Sequence, residues 1–314
     1  MRRAAARDGE LLGVDVTYGM PIDLPAAVSF MAGHARTLDR RRLELLLGSE
    51  DSDAVLAALD GYRNPDGGYG WGLEPDLRAA ESQPGGALHA LETIGDVAPL
   101  TSSRAVELCD WLASVSLPDG GLPFALPVAD DAALAPFWAK ADPAVSSLQI
   151  TSYVAAAAHH VAACDRAVAG HEWLGRATRY CLDAIAALGA APHAIVLNAA
   201  LGLLDAVHDT QPEAPALLRR LAAFIPADGR LPVAGGAEDE SLGALDIAPF
   251  PDRPVRALFS ADVVERELEH LVAEQQADGG WRVDFASYSP AAALEWRGYA
   301  TVHAVLVLRR NGVI

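Results

Sequence analysis

Nearly the same turn is written four times along this chain: Tyr62-Arg63-Asn64-Pro65-Asp66-Gly67-Gly68-Tyr69, Leu117-Pro118-Asp119-Gly120-Gly121-Leu122, Ile225-Pro226-Ala227-Asp228-Gly229-Arg230-Leu231 and Gln275-Gln276-Ala277-Asp278-Gly279-Gly280-Trp281. Asp66, Asp119, Asp228 and Asp278 recur at about 50 to 55 residues with one copy degenerate, a period that belongs to repeat architectures. In such an array no unit can bury its apolar face alone. Asp at each turn can hydrogen-bond the backbone ahead of it, and Gly takes the positive φ that reverses the chain.

The segments between the turns are helical and of two kinds. Val264, Leu268, Leu271 and Val272 face one way while Glu265, Arg266, Glu267 and Glu269 face the other, the pattern of an amphipathic outer helix. Residues 101–116 and 171–188 read alike. By contrast, Tyr299 to Leu308, Ala194 to Val207 and Tyr153 to Ala163 are apolar almost all round, so each must be buried on every side. Alternating outer and inner helices, about six pairs in all, predict an all-α fold: an α/α toroid made by residues 1–314 as a single domain. Closing the ring removes the need for capping repeats. One inner stave is expected to be irregular, because Pro232, Pro249, Pro251 and Pro254 with Gly235 and Gly236 forbid a long helix in 226–260. That segment either opens the cavity sideways or covers it with a lid carrying Asp246, Asp252, Arg253 and Arg256.

Composition narrows the function. Of 314 residues, 51% are apolar, ample for a large core, and the formal charge of −18 argues against a nucleic-acid partner. Lys140 is the only lysine. The basic N-terminus meets Asp8 and Glu10 before any apolar stretch, so no signal peptide is expected, and no apolar run approaches the ~20 residues of a membrane span. A cytoplasmic protein is the expectation. Cys109, Cys164 and Cys181 share no metal-ligand spacing, and Cys109 and Cys181 lie on apolar stripes as buried thiols. His160 and Cys164 stand four apart without a third ligand in view, so no metal or other cofactor is expected.

The stretch Gln275 to Trp281 resembles the QW-type repeat of the squalene–hopene cyclase and protein prenyltransferase superfamily, whose fold is an α/α toroid. The weaker copies extend the resemblance from about Tyr62 to Leu308. It implies a terpenoid cyclase-like enzyme that protonates a small apolar, isoprenoid-type substrate with a carboxylic acid in the barrel cavity. The family's Asp-x-Asp-Asp motif is absent; Glu81, in Glu81-Ser82-Gln83-Pro84, stands in its register. The Cys of the prenyltransferase zinc site is missing from Ala293 to Tyr299, and Asp130-Asp131 stops short of an Asp-Asp-x-x-Asp magnesium cluster.

Position supplies the remaining candidates. Long connections at 63–82, 117–144, 226–260 and 277–290 would emerge at the end that receives the inner-helix N-termini. Glu81 and Glu295 are the candidate acids. Trp71, Gln83, Gln149, His193, Trp296 and Arg297 are the candidate substrate-binding residues, and Glu81, Gln149, Glu295 and Arg297 are expected to line one cavity. Each has a structural alternative: Glu81 as a cap beside Pro84, Glu295 and Arg297 as ion-pair partners, Glu74 and Asp76 as solvated acids around Pro75, His303 as a hydrogen-bonded core histidine. A reading from another class stands beside the cyclase: an acid-rich, aromatic mouth that binds or hydrolyses a polar small molecule such as a sugar. A non-catalytic binding role is the third. A mostly apolar wall would favour the cyclase, and several carboxylates facing one void the polar ligand.

Overall fold

The structure is a computed structural model and describes residues 22–49, 51–131, 134–238 and 240–314. Among these the fold is all-α. Helices α1 (Leu24–His34), α2 (Thr37–Leu46) and α3 (Ser52–Asp60) precede the first turn; α4 (Pro84–Asp96), α5 (Ser103–Val115) and the short α6 (Pro136–Ala139) follow it. Then come α7 (Leu148–Ala162), α8 (Arg166–Ala169), α9 (Glu172–Ala187), α10 (Ala194–Ala206) and α11 (Ala214–Ala222). The proline-rich segment after α11 holds only a two-residue antiparallel pair, β1 (Leu231–Pro232) with β2 (Ser241–Leu242), the single turn α12 (Ala244–Ile247) and a 3₁₀ turn at Pro254–Leu258. Helices α13 (Ala261–Ala273) and α14 (Pro290–Arg310) end the chain.

All four Asp-Gly turns share one geometry. The N–H of Gly67, Gly120, Gly229 and Gly279 donates to the carbonyl three residues earlier at 3.1, 2.9, 2.9 and 2.8 Å. Their φ values are +89°, +92°, +79° and +93°, the left-handed region open to glycine. Each Asp accepts the N–H two residues ahead, from Gly68, Gly121, Arg230 and Gly280.

The second glycine has a packing reason. A Cβ on Gly68 would lie 2.6 Å from the Trp111 ring, on Gly121 2.8 Å from Tyr180 and on Gly280 2.7 Å from Phe30. The preceding glycines meet Glu107, Arg176 and Ala26, in each case four residues before the ring. Each of these turns is thus pressed on one face of another helix, and the last is pressed on α1. Gln275 completes that junction: its Oε1 accepts the Asp23 N–H at 2.9 Å and its Nε2 donates to the Asp23 carbonyl at 2.9 Å.

Helix packing follows a sequence that returns to its start. α2 packs on α3, α3 on α4, α4 on α7, α7 on α10, α10 on α12, α12 on α13, α13 on α14, and α14 on α2. Helices α7 and α10 are buried along most of their length, whereas α13 buries only Val263, Leu268 and Val272. No helix among the described residues is long and apolar enough to cross a membrane.

Candidate functional site

A cavity of about 700 Å³ is lined by α4, α7, α10, α13 and α14, with Leu242 and Asp246 of the proline-rich segment. The helical walls follow from periodicity. Gly85, Leu88, His89 and Glu92 stand at i, i+3, i+4 and i+7 on α4, and Trp296, Tyr299, Ala300 and His303 repeat that spacing on α14. These positions fall mainly in the N-terminal halves of the helices. Beside the proline-rich segment, which holds no long helix, His270 and Leu271 of the amphipathic α13, with Glu274 at its C-cap, complete the wall.

The wall is acidic and aromatic. Glu74, Glu92, Asp246, Glu274 and Asp284 face it, together with the rings of Trp138, Tyr153, Trp281, Phe285, Trp296 and Tyr299. Aromatic pairs meet edge-on: Phe285 and Tyr299 lie at 90° and 89° to Trp296, and His89 approaches both Trp296 and Tyr299.

His89 is the buried hub. Its Nε2–H donates to Glu74 Oε2 at 2.9 Å and its Nδ1–H to Glu92 Oε2 at 3.0 Å. Burial pulls the imidazolium pKa down, but Glu92 and Glu74 outweigh it and hold the value at about 9. His89 is therefore a fixed cation. Burial works against the Glu92 carboxylate in the same way, and the His89 charge, with that of Arg42, more than offsets it and lowers its pKa. Glu92 also accepts from the Tyr299 hydroxyl at 3.3 Å. Arg42 lies 5.7 Å from the Tyr299 ring centre and donates to Asp96 at 2.6 Å, closing the network behind the wall.

Asp246 is the other kind of acid. Its carboxyl accepts one backbone N–H, from Gly243 at 2.6 Å, and the residue, which lines the cavity, is solvent-exposed. Enclosure by the walls, with the charges of Asp284 and Glu267, pushes its pKa up to about 6. One cavity therefore holds a charged His–carboxylate cluster and a carboxyl poised near neutrality.

The residues expected from sequence are divided by this geometry. Gln149 and Trp296 line the cavity, and Trp296 is held by Asp76, whose Oδ2 accepts its indole N–H at 2.8 Å. The other six lie off the wall. Glu81 Oε1 accepts the Ala129 N–H at 2.9 Å; Gln83, buried, exchanges two hydrogen bonds with the Leu126 backbone. Glu295 is paired with Arg78. Arg297 makes a bidentate bond to the turn acid Asp278 at 2.9 and 2.7 Å and stacks on Phe30. Both flank Trp296, so a turn of about 100° per residue carries them off the face that Trp296, Tyr299 and His303 share.

His193 caps α10 and bonds the Ala234 carbonyl. Trp71 stands exposed at φ +56° with its indole N–H on Asn64. The expectation that Glu81, Gln149, Glu295 and Arg297 line one cavity is thus corrected: of the four only Gln149 does. Two other expectations change. Glu74 and Asp76 are not solvated acids but buried ones, Glu74 bonding the Asp76 N–H at 3.0 Å around Pro75. His303 is a wall residue, its ring parallel to Tyr299 at 6.5 Å, and burial lowers its pKa.

His89 and Glu92, which sequence reasoning missed, carried a signal: two polar residues three apart on the otherwise buried face of α4; Glu274 and Asp284 carried no such signal. Cys109 and Cys181 are buried thiols pushed up to about 12, and Cys164 is exposed. Among the described residues no group of three or more His, Cys, Asp or Glu is arranged to hold a metal ion. No protein-family model matches this chain, and no curated protein matches it either.

Proposed function

We propose that the helices form a closed α/α toroid whose cavity binds a polyhydroxylated small molecule of the sugar class and cleaves its glycosidic bond, with Asp246 as proton donor. The observation that carries this reading is the Asp246 carboxyl, raised to about 6, facing a void it shares with four other carboxylates and six aromatic rings. Carboxylates accept hydrogen bonds from sugar hydroxyls, and ring faces stack on the apolar face of a pyranose. A protonated carboxyl beside a charged one is the pair that glycosidic cleavage uses, the acid delivering its proton to the leaving oxygen. Asp284, whose charge helps to raise Asp246, is the partner carboxylate, the base that takes a proton from the water whose oxygen bonds the anomeric carbon as the leaving oxygen departs. The His89 cluster fixes Glu92 as a permanent negative charge against the positive charge that develops on the sugar ring. Three free cysteines support a reducing, cytoplasmic setting.

The test is release of nitrophenol from a panel of 4-nitrophenyl glycosides. Because the donor must carry its proton, turnover is expected to fall as pH rises through about 6. Asp246→Asn should cost roughly 10² to 10⁴-fold, the range for losing a general acid. No release from any glycoside, with no saccharide raising the melting temperature, overturns the reading.

A second reading keeps the reaction that the family resemblance implies, protonation of an isoprenoid. The edge-on cluster of Phe285, Trp296 and Tyr299 supports it, because aromatic rings stabilise carbocations. Glu81 and Glu295 lie off the wall, so Asp246 is the donor here too. Five carboxylates on the wall weigh against it, since a carbocation touching them is captured as an ester. Conversion of a linear polyprenol to a cyclic product would decide for it.

A further inference from the structure

The aromatic lining does not stop at the mouth of the cavity. Trp138, on the wall, stacks on Phe124 at 4.4 Å and meets Phe137 at 5.5 Å. Phe137 meets Tyr288 in turn, edge to face at 5.6 Å. Phe137 and Tyr288 come from two different connections, α6 and the loop before α14, and are 46% and 52% exposed. Two large rings held half in water are a cost unless something covers them.

Their placement is built from both sides. Asp76, 4% exposed, accepts the Tyr288 backbone N–H on Oδ1 at 3.2 Å and the Trp296 indole N–H on Oδ2 at 2.8 Å, so one carboxyl fixes a rim residue and a wall residue together. The Asp76 carbonyl also accepts the Ala135 N–H, one residue before α6 begins, at 2.9 Å. The rim pair is thus anchored to the same residue as the cavity wall.

We propose that Phe137 and Tyr288 form an outer stacking subsite that takes the next ring of a ligand whose first ring lies in the cavity. The substrate is then an oligosaccharide and not a free monosaccharide. This rests on the sugar-class reading above. The occupant follows from continuity: the track Trp138, Phe137, Tyr288 leads outward from the wall, and ring after ring is the chemistry it fits.

The experiment compares 4-nitrophenyl monoglycosides with the matching 4-nitrophenyl tetraglycosides. For wild type the longer probe should show the lower KM. Phe137→Ala and Tyr288→Ala should each raise KM for the tetraglycoside roughly 3- to 10-fold, the worth of one aromatic contact, and leave the monoglycoside unchanged. Tyr288→Trp, which keeps a ring on the rim, should restore the low KM. Equal effects on both probes, or no effect on either, overturn the subsite. Wild type that turns over the monoglycoside and gains nothing from the longer probe removes the subsite and leaves the cavity reading intact; wild type that turns over neither removes both.

Discussion

A buried imidazolium is stable only where its partners outweigh its desolvation, and His89 has two carboxylates on its two ring nitrogens. Its folded pKa of about 9 lies above the ordinary 6.5, so its stabilisation is complete below about 6.5 and is lost as pH rises through about 9. Urea unfolding should therefore show stability falling by on the order of 2 to 4 kcal/mol across that window. A flat profile from pH 6.5 to 9 contradicts the clamp. Asp246 has the opposite consequence. Its carboxyl titrates higher folded than unfolded, so stability falls between the ordinary carboxyl range and about pH 6, and Asp246→Asn should be the more stable protein at pH 7. At the first turn, Asp66 accepts from the Gly68 N–H, the Ser82 hydroxyl and the Trp111 indole. Asp66→Ala leaves these donors without partners and should cost about 1 to 3 kcal/mol in thermal unfolding.

The turns act through the helices they touch. A Cβ on Gly279 would fall 2.2 Å from the Ala26 backbone at φ +93°, so Gly279→Ala must push α1 away from the last turn. We expect a loss of roughly 2 to 4 kcal/mol, in the overpacking and backbone-strain class. Gly175→Ala is the matched control: it lies exposed within α9 with nothing near its Cβ, and it should gain about 0.5 to 1 kcal/mol from helix propensity. Equal melting shifts for the two variants would contradict the docking role. The helices were legible because their apolar periods are long, and the lack of a long helix in 226–260 because Pro232, Pro249, Pro251 and Pro254 fall there. The site was less legible. Attention to helix starts selects residues at or beside the caps, such as Glu81 and the α10 cap His193, whereas the wall lies further along the helices, at His89, Glu92, Tyr299 and His303. Glu74 and Asp76 look like loop acids by composition, and only the fold shows that their loop is turned inward.

Helix contacts run from α2 through α3, α4, α7, α10, α12, α13 and α14 back to α2, and the last Asp-Gly turn docks on α1. The proline-rich segment has a use in that arrangement: with no long helix there, Asp246 lines the void beside α13, and the acid that titrates near neutrality enters the cavity. The most direct test is a crystal structure of the Asp246→Asn protein soaked with a 4-nitrophenyl tetraglycoside. One sugar ring should lie in the cavity, its glycosidic oxygen within hydrogen-bond distance of residue 246, with the next ring against Phe137 and Tyr288. A cavity that stays empty of saccharide in that soak, while a polyprenol occupies it under the same conditions, would contradict a sugar-binding cavity.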